Sequence, residues 1–128
     1  SPLKWQIIKG KNTIICKLFK INRKIDGGDI YSKEKLKILK TDLFDEIKSK
    51  QMKITEKLIT NFINNKKIKI IKQKGRPTYY RKITSEDDMI DPKKSLISQF
   101  DKIRSTNSEY DNYFYINKKK FVIKIIKK

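Results

Sequence analysis

The chain has 128 residues and a mass of 15.3 kDa, with 33 Lys and Arg against 14 Asp and Glu, a formal net charge of +19. It has no histidine and one cysteine, which excludes a Ser/His/Asp or Cys/His centre, a His-ligated metal, a disulfide framework and a Cys-based metal site within these residues. Ile, Leu, Val and Phe make up 37 residues, enough for a modest packed core despite the charge, and no apolar run approaches a membrane span.

The opening does not read as a secretory signal. Ser1-Pro2 reads as an N-cap followed by a proline at the first helical position, opening a short helix through Trp5, Ile7 and Ile8 that stops at Gly10. Thr13 to Ile21 is rich in β-branched and aromatic residues and predicts a strand. Asp26-Gly27-Gly28-Asp29 predicts a turn, because glycine tolerates positive φ. Ile30 to Leu39 alternates, with Lys33, Lys35 and Lys37 on one face and Leu36 and Ile38 on the other, a strand with one solvated face. Thr41 to Asn65 carries Leu43, Phe44, Ile47, Met52, Ile54, Leu58, Ile59, Phe62 and Ile63 at three- and four-residue steps. That predicts a long helix capped by Thr41, with Asp42, Asp45 and Glu46 near its positive end. Ile68 to Lys72 suggests a short strand, and 74–93 reads as irregular, punctuated by Gly75, Pro77 and Pro92. Ser95 to Arg104 predicts a second amphipathic helix with Leu96, Ile97, Phe100 and Ile103 inward. Tyr113 to Ile116 and Phe121 to Ile126 predict a β-hairpin around Asn117-Lys118-Lys119.

The charge is uneven. Residues 1–40 sum to +8, 41–65 to zero, 66–84 to +8 with no acid, 85–112 to −3 and 113–128 to +6. A charge of +19 suggests a nucleic-acid or other anionic partner. Lysine, however, outnumbers arginine 29 to 4, isoleucine reaches 23 and alanine is absent. We read this as the drift of an AT-rich coding sequence that leaves a solvated lysine surface. The stripe at 66–84 stands apart, since it mixes Arg76 and Arg81 with Tyr79 and Tyr80, groups able to hold phosphate and stack on a base.

On spacing alone, Asp26 is either a plain turn aspartate or a carboxylate that a ligand can approach closely beside two glycines. Asp29 could join it at a cation, but no further ligand follows at an EF-hand spacing. Cys16 reads as a small core residue, Trp5 as core, and Tyr113, Phe114 and Tyr115 as one face of the hairpin.

The order of the pieces says more. Ser1-Pro2-Leu3-Lys4-Trp5, the strand Ile14 to Phe19, the Ile25 to Ile30 string IDGGDI and the helix Thr41 to Asn65 resemble the second half of the formyltransferase catalytic domain. So does the tail from Arg76 through the aromatic hairpin, and the resemblance covers nearly the whole chain. That family includes the methionyl-tRNA, nucleotide-sugar and glycinamide ribonucleotide formyltransferases. The resemblance implies an incomplete α/β fold with a mixed sheet. It divides the chain into 1–73, the second half of the catalytic domain, and 74–128, a linker, helix and C-terminal β-hairpin.

It also implies a reaction and a site. A formyl group moves from 10-formyltetrahydrofolate to an amine, and Asp26 stands at the catalytic aspartate, with Gly27 and Gly28 bordering the folate head group. In the family an upstream Asn and His aim donors at the developing oxyanion, and the aspartate keeps that His cationic. Those two residues precede the matched region, so these 128 residues are expected not to transfer formyl groups by themselves.

The tRNA enzymes carry a further C-terminal barrel domain, whereas the tail here resembles the nucleotide-sugar enzymes. The favoured substrate is therefore a nucleotide-linked amino sugar, with Phe114 or Tyr115 on the base and Arg76, Arg81 or Arg104 toward the diphosphate. A methionyl-tRNA formyltransferase is the alternative, and nucleic acid enters the reading only as tRNA. The resemblance implies a cytoplasmic enzyme with no membrane partner. A basic binding module that dimerises through 113–126 and 95–104 remains the non-catalytic alternative.

Overall fold

A computed structural model describes residues 2–23, 26–65, 67–76, 78–106 and 109–128. Four expectations lie outside these residues: Ser1 as a cap, Ile25 in the glycine motif, Lys66 in the basic stripe and Pro77 as punctuation. The elements run α1 (Pro2–Ile8), β1 (Thr13–Phe19), β2 (Ile30–Lys37), α2 (Phe44–Asn64), two 3-10 turns (Ser85–Asp88 and Ile97–Gln99), α3 (Phe100–Ile103), β3 (Asn112–Ile116) and β4 (Lys119–Ile123). The α/β class is present, with the strands in two small antiparallel pairs, β1–β2 and β3–β4. Among the described residues no helix is long and apolar enough to cross a membrane.

The chain folds as two compact units. The first comprises Ser1–Asn12, Leu39–Ile47 and Tyr79–Lys128; the second comprises Thr13–Ile38 and Lys48–Thr78. In the first, Leu3, Ile7, Ile47, Ile90, Ile103 and Tyr113 are buried. Helix α1 ends where expected. Lys11 N–H reaches Gln6 O (3.0 Å) and Gly10 N–H reaches Ile7 O (2.8 Å), with Gly10 at φ +68°. This paired closure needs the left-handed conformation that glycine adopts freely. The cap of α2 falls at Leu43, not Thr41: Leu43 N–H donates to Glu46 Oε2 (2.8 Å), half of a capping box.

The amphipathic helix expected over 95–104 does not form as one piece. A 3-10 turn gives way to a single α turn, and Leu96 and Ile97 are exposed while Ile103 is buried. The cause is local polar competition for the backbone. Gln99 Oε1 accepts from Asp91 N–H (2.8 Å) and its Nε2 donates to Asp91 O (3.0 Å). Ser98 N–H donates to Ser95 Oγ (3.2 Å) and Ser98 Oγ to Ser95 O (2.7 Å). The hairpin forms, but on a two-residue turn rather than the three residues expected: Asn117 (φ +46°) and Lys118 (φ +63°) take the conformation that matches strand twist, Lys119 already pairs with Ile116, and β4 ends at Ile123.

In the second unit Ile14, Ile30, Leu36, Ile38 and Leu58 are buried, and Tyr31 packs on Phe62 with ring centroids 5.0 Å apart. Thr13 pairs with Lys37, Ile15 with Lys35 and Lys17 with Lys33, and a bulge follows at Leu18/Phe19. The strand suggested over 68–72 is a single antiparallel bridge, Ile30 to Ile71, closed by hydrogen bonds of 2.8 and 2.9 Å.

Candidate functional site

In the second unit the β1–β2 connection brings Asp26, Gly27 and Gly28 together. The positive φ falls on Asp26 (+52°) rather than on either glycine. Gly28 is needed for another reason: a Cβ there would stand 1.6 Å from the Lys20 carbonyl oxygen, and that oxygen is backbone. Lys20 N–H in turn donates to Asp29 O (2.9 Å), closing the base of the connection. Gln73, which sequence reasoning missed, ties the turn from the side. Its Nε2 donates to Asp26 O and Gly28 O, both at 2.7 Å. A glutamine inside a lysine-rich stretch offered no periodic signal.

The Asp26 backbone is therefore held while its carboxylate is exposed and has no hydrogen-bond or ion-pair partner among the described residues. Gly27 is exposed and offers an edge without a side chain; Gly28 is buried. Arg76, in the same unit, is exposed. Cys16 is half-buried on β1, and burial pushes its thiol up, away from the reactive thiolate. Among the described residues no cluster of His, Cys, Asp and Glu could hold a metal ion.

The remaining predicted residues lie in the first unit, and their partners differ. Arg104 is 1% exposed. Its Nε donates to Asp101 Oδ1 (2.6 Å), and its Nη1 donates to Leu39 O (3.0 Å) and Asp42 O (3.1 Å). A buried guanidinium committed to its own chain presents no fork to a diphosphate, so the expectation for Arg104 is corrected: it is a structural residue. The Arg81 side chain is 60% exposed, but it makes a two-point pair with Asp87 and stacks 4.6 Å over Trp5. Trp5 Nε1–H donates to Arg81 O (2.8 Å), so Trp5 has a polar task beyond core packing. The Arg81 guanidinium, followed by the Thr84 N–H, holds the Asp87 carboxyl down to about 2, against the opposing effect of burial. Phe114 stacks on Phe121 at 5.5 Å. Tyr115 meets Tyr113 edge-on at 5.7 Å and is 49% exposed.

A cavity of about 620 Å³ in this unit is lined by Phe44, Ile83, Tyr113 and Val122, together with the Lys4–Asp88 pair. Lys120 Nζ sits 4.0 Å over the Tyr113 ring. Lys4 is buried beside Leu3 and Ile7 of α1, a place where helical periodicity predicts an apolar residue, and that mismatch is the signal that could have found the pair.

No protein-family model matches the chain. Methionyl-tRNA formyltransferase of Mycoplasma capricolum is 27% identical over 97% of this chain and 40% of its own length. Methionyl-tRNA formyltransferase of Thermosipho melanesiensis is 29% identical over 82% of this chain and 35% of its own length. The bifunctional polymyxin resistance protein ArnA of Wigglesworthia glossinidia brevipalpis is 29% identical over 96% of this chain and 20% of its own. This chain thus spans well under half of each of these relatives. Among solved structures, methionyl-tRNA formyltransferase from Clostridium thermocellum superposes with a TM-score of 0.74 at 24% identity, covering 94% of this chain and 53% of that one. A 4-N formyltransferase from Francisella tularensis gives 0.68 at 25%, covering 97% and 55%. An N-formyltransferase from Helicobacter canadensis, solved with folinic acid and dTDP-3-aminofucose, gives 0.63 at 24%, covering 88% and 44%.

Proposed function

We propose a function from one premise: the chain belongs to the formyltransferase family. On that premise it is part of an enzyme that moves a formyl group from 10-formyltetrahydrofolate to a primary amine. What supports the reading is Asp26, whose carboxylate has no hydrogen-bond or ion-pair partner among the described residues and whose turn Gln73 holds, in the string that resembles the family's glycine motif. A carboxylate so placed is able to hold an imidazolium in its charged form and to take up a proton as the amine attacks. The chain contains no histidine, so the imidazole must come from outside these residues.

The folate, when bound, supplies the formyl group. The residues present fit a bordering role. Gly27 leaves a side-chain-free edge beside the Asp26 carboxylate, whereas Gly28 owes its glycine to the Lys20 carbonyl. The division into 1–73 and 74–128, and a cytoplasmic location, belong to the same reading.

Two carriers of the amine have support. A nucleotide-linked amino sugar is favoured by the half-exposed Tyr115, an aromatic face able to stack on a base, with Arg104 withdrawn. A methionyl-tRNA carrier is favoured by relatives that match as much as 97% of the chain.

The test joins this chain behind the upstream portion of the Mycoplasma capricolum relative and follows formyl transfer to methionyl-tRNA and to dTDP-linked amino sugars. The joined protein is expected to turn over one of the two while the 128 residues alone do not. Asp26→Asn is expected to lower kcat about 100-fold or more with the melting temperature unchanged. Undiminished turnover by that variant, or turnover by the 128 residues alone, would sink the assignment.

A further inference from the structure

We infer that the outer face of the β1–β2 pair is a docking surface for the phosphate backbone of a helical nucleic acid. The register places Lys17 directly across from Lys33, Ile15 across from Lys35 and Thr13 across from Lys37. All six residues are exposed, so one face of this two-stranded sheet carries four lysines and no acid. Glu34 lies between Lys33 and Lys35 in sequence but points to the other face, where it pairs with Lys57 (2.8 Å). Among the described residues none of the four lysines has an ion-pair partner. Some lysines elsewhere do, as Lys4 with Asp88, Lys94 with Asp91, Lys124 with Asp111 and Lys127 with Glu46.

Like charges directly opposite across a ladder are destabilising, so Lys17 facing Lys33 lowers the stability of the sheet and gains only when an anion screens the pair. The geometry favours a regular polyanion. Alternate residues of a strand lie about 7 Å apart, so Lys33, Lys35 and Lys37 form a straight row of charges at about twice the 3.4 Å axial phosphate spacing of one duplex strand.

The rest of the face narrows the partner. Single strands are held by aromatic stacking platforms, and the six residues of this face include no aromatic. An anionic membrane surface would attract the same lysines but offers no straight row of phosphates to match them, and the vesicle arm of the experiment separates the two. A duplex or stem backbone, bound without reading sequence, is the occupant the straight row favours. The inference stands apart from formyl transfer, because it is read as binding, and either can fail without the other.

The experiment measures binding of the 128-residue chain to a mixed-sequence 20-base-pair RNA duplex by fluorescence anisotropy across a salt series. Removing three contacts by Lys33→Gln, Lys35→Gln and Lys37→Gln together is expected to weaken binding about tenfold or more near 0.1 M salt. It should reduce the log–log salt slope by about 2 to 3. The three Lys→Arg changes at the same positions keep the charge and are expected to bind within about twofold of the parent, which separates lost contacts from lost fold. Lys93→Gln, Lys118→Gln and Lys119→Gln remove equal charge from the other unit and are expected to cost less than about threefold. Equal losses from both Gln triples would overturn the inference, because the binding would then follow net charge alone. So would absence of duplex binding near 0.1 M salt, or tight binding to phosphatidylserine vesicles that depends on the row while the duplex is ignored.

Discussion

The two units differ in how their singled-out charges are partnered. In the first, Arg104 is buried on Asp101 and two carbonyls, Lys4 is buried on Asp88, and the exposed Arg81 is clamped to Asp87. In the second, Glu34 pairs with Lys57, but among the described residues Asp26 has no side-chain partner and the four lysines of the sheet face stand without counter-charges. A charge already satisfied by its own chain holds structure and has little left for a ligand. A charge that a rigid backbone presents unpaired contributes nothing to stability and is available to one. The contrast demotes Arg104 and leaves Asp26 as the candidate with chemistry to do.

The sharpest way to break the contrast is Arg104→Leu. It leaves the Leu39 and Asp42 carbonyls without their buried donor, and the expected loss is about 3–5 kcal/mol in a urea melt. Arg104→Lys is expected to recover little, since an ammonium cannot reach three acceptors in the guanidinium's geometry. Wild-type stability in Arg104→Leu would mean the inward charges are ornamental.

Gly28→Ala comes next. A methyl group 1.6 Å from a backbone oxygen forces the turn to move, for an expected cost of about 3 kcal/mol, seen as loss of the second unit's amide-exchange protection.

Asp87→Asn tests the inward pairing by pH. The folded carboxyl sits at about 2, below its ordinary 3.8. Its contribution is therefore full above about pH 4 and is lost as pH falls through about 2. The shift corresponds to at most about 2 kcal/mol, and solvent around the 60% exposed Arg81 side chain reduces it toward 1. Parent and variant should differ by that amount at pH 7 and converge near pH 2; a constant gap across the range would refute the pairing.

The smallest effects fall on the unpaired side and on the hairpin turn. Asp26→Asn is expected to change stability by less than about 0.5 kcal/mol, because asparagine also accepts a left-handed conformation and no side-chain partner is lost. Lys118→Gly is expected to raise stability by about 0.5 kcal/mol, by relieving a lysine held at φ +63°.

Much of the local structure was legible in sequence because it depends on near neighbours. The Gly10 stop, the alternating lysines of β2, the long period of α2 and the presence of a C-terminal hairpin each follow from a few adjacent residues. The helix over 95–104 was misread because apolar spacing is silent about Gln99 and the serines binding their own backbone. The candidate site divided along the same line. Asp26 was visible as a carboxylate beside glycines. Gln73, 47 residues away from Asp26, was not.

What the sequence determined by itself is the element order, the absence of any histidine within these residues and the glycine turn that presents Asp26. Only the tertiary structure decided which charges are taken. Arg76, Arg81 and Arg104 are the same residue type in neighbouring stretches, yet one is exposed, one is clamped to Asp87 and one is buried against three acceptors. The value of a charge depends on whether burial and long-range partners have already replaced its water, and neither is written in the spacing of residues along the chain.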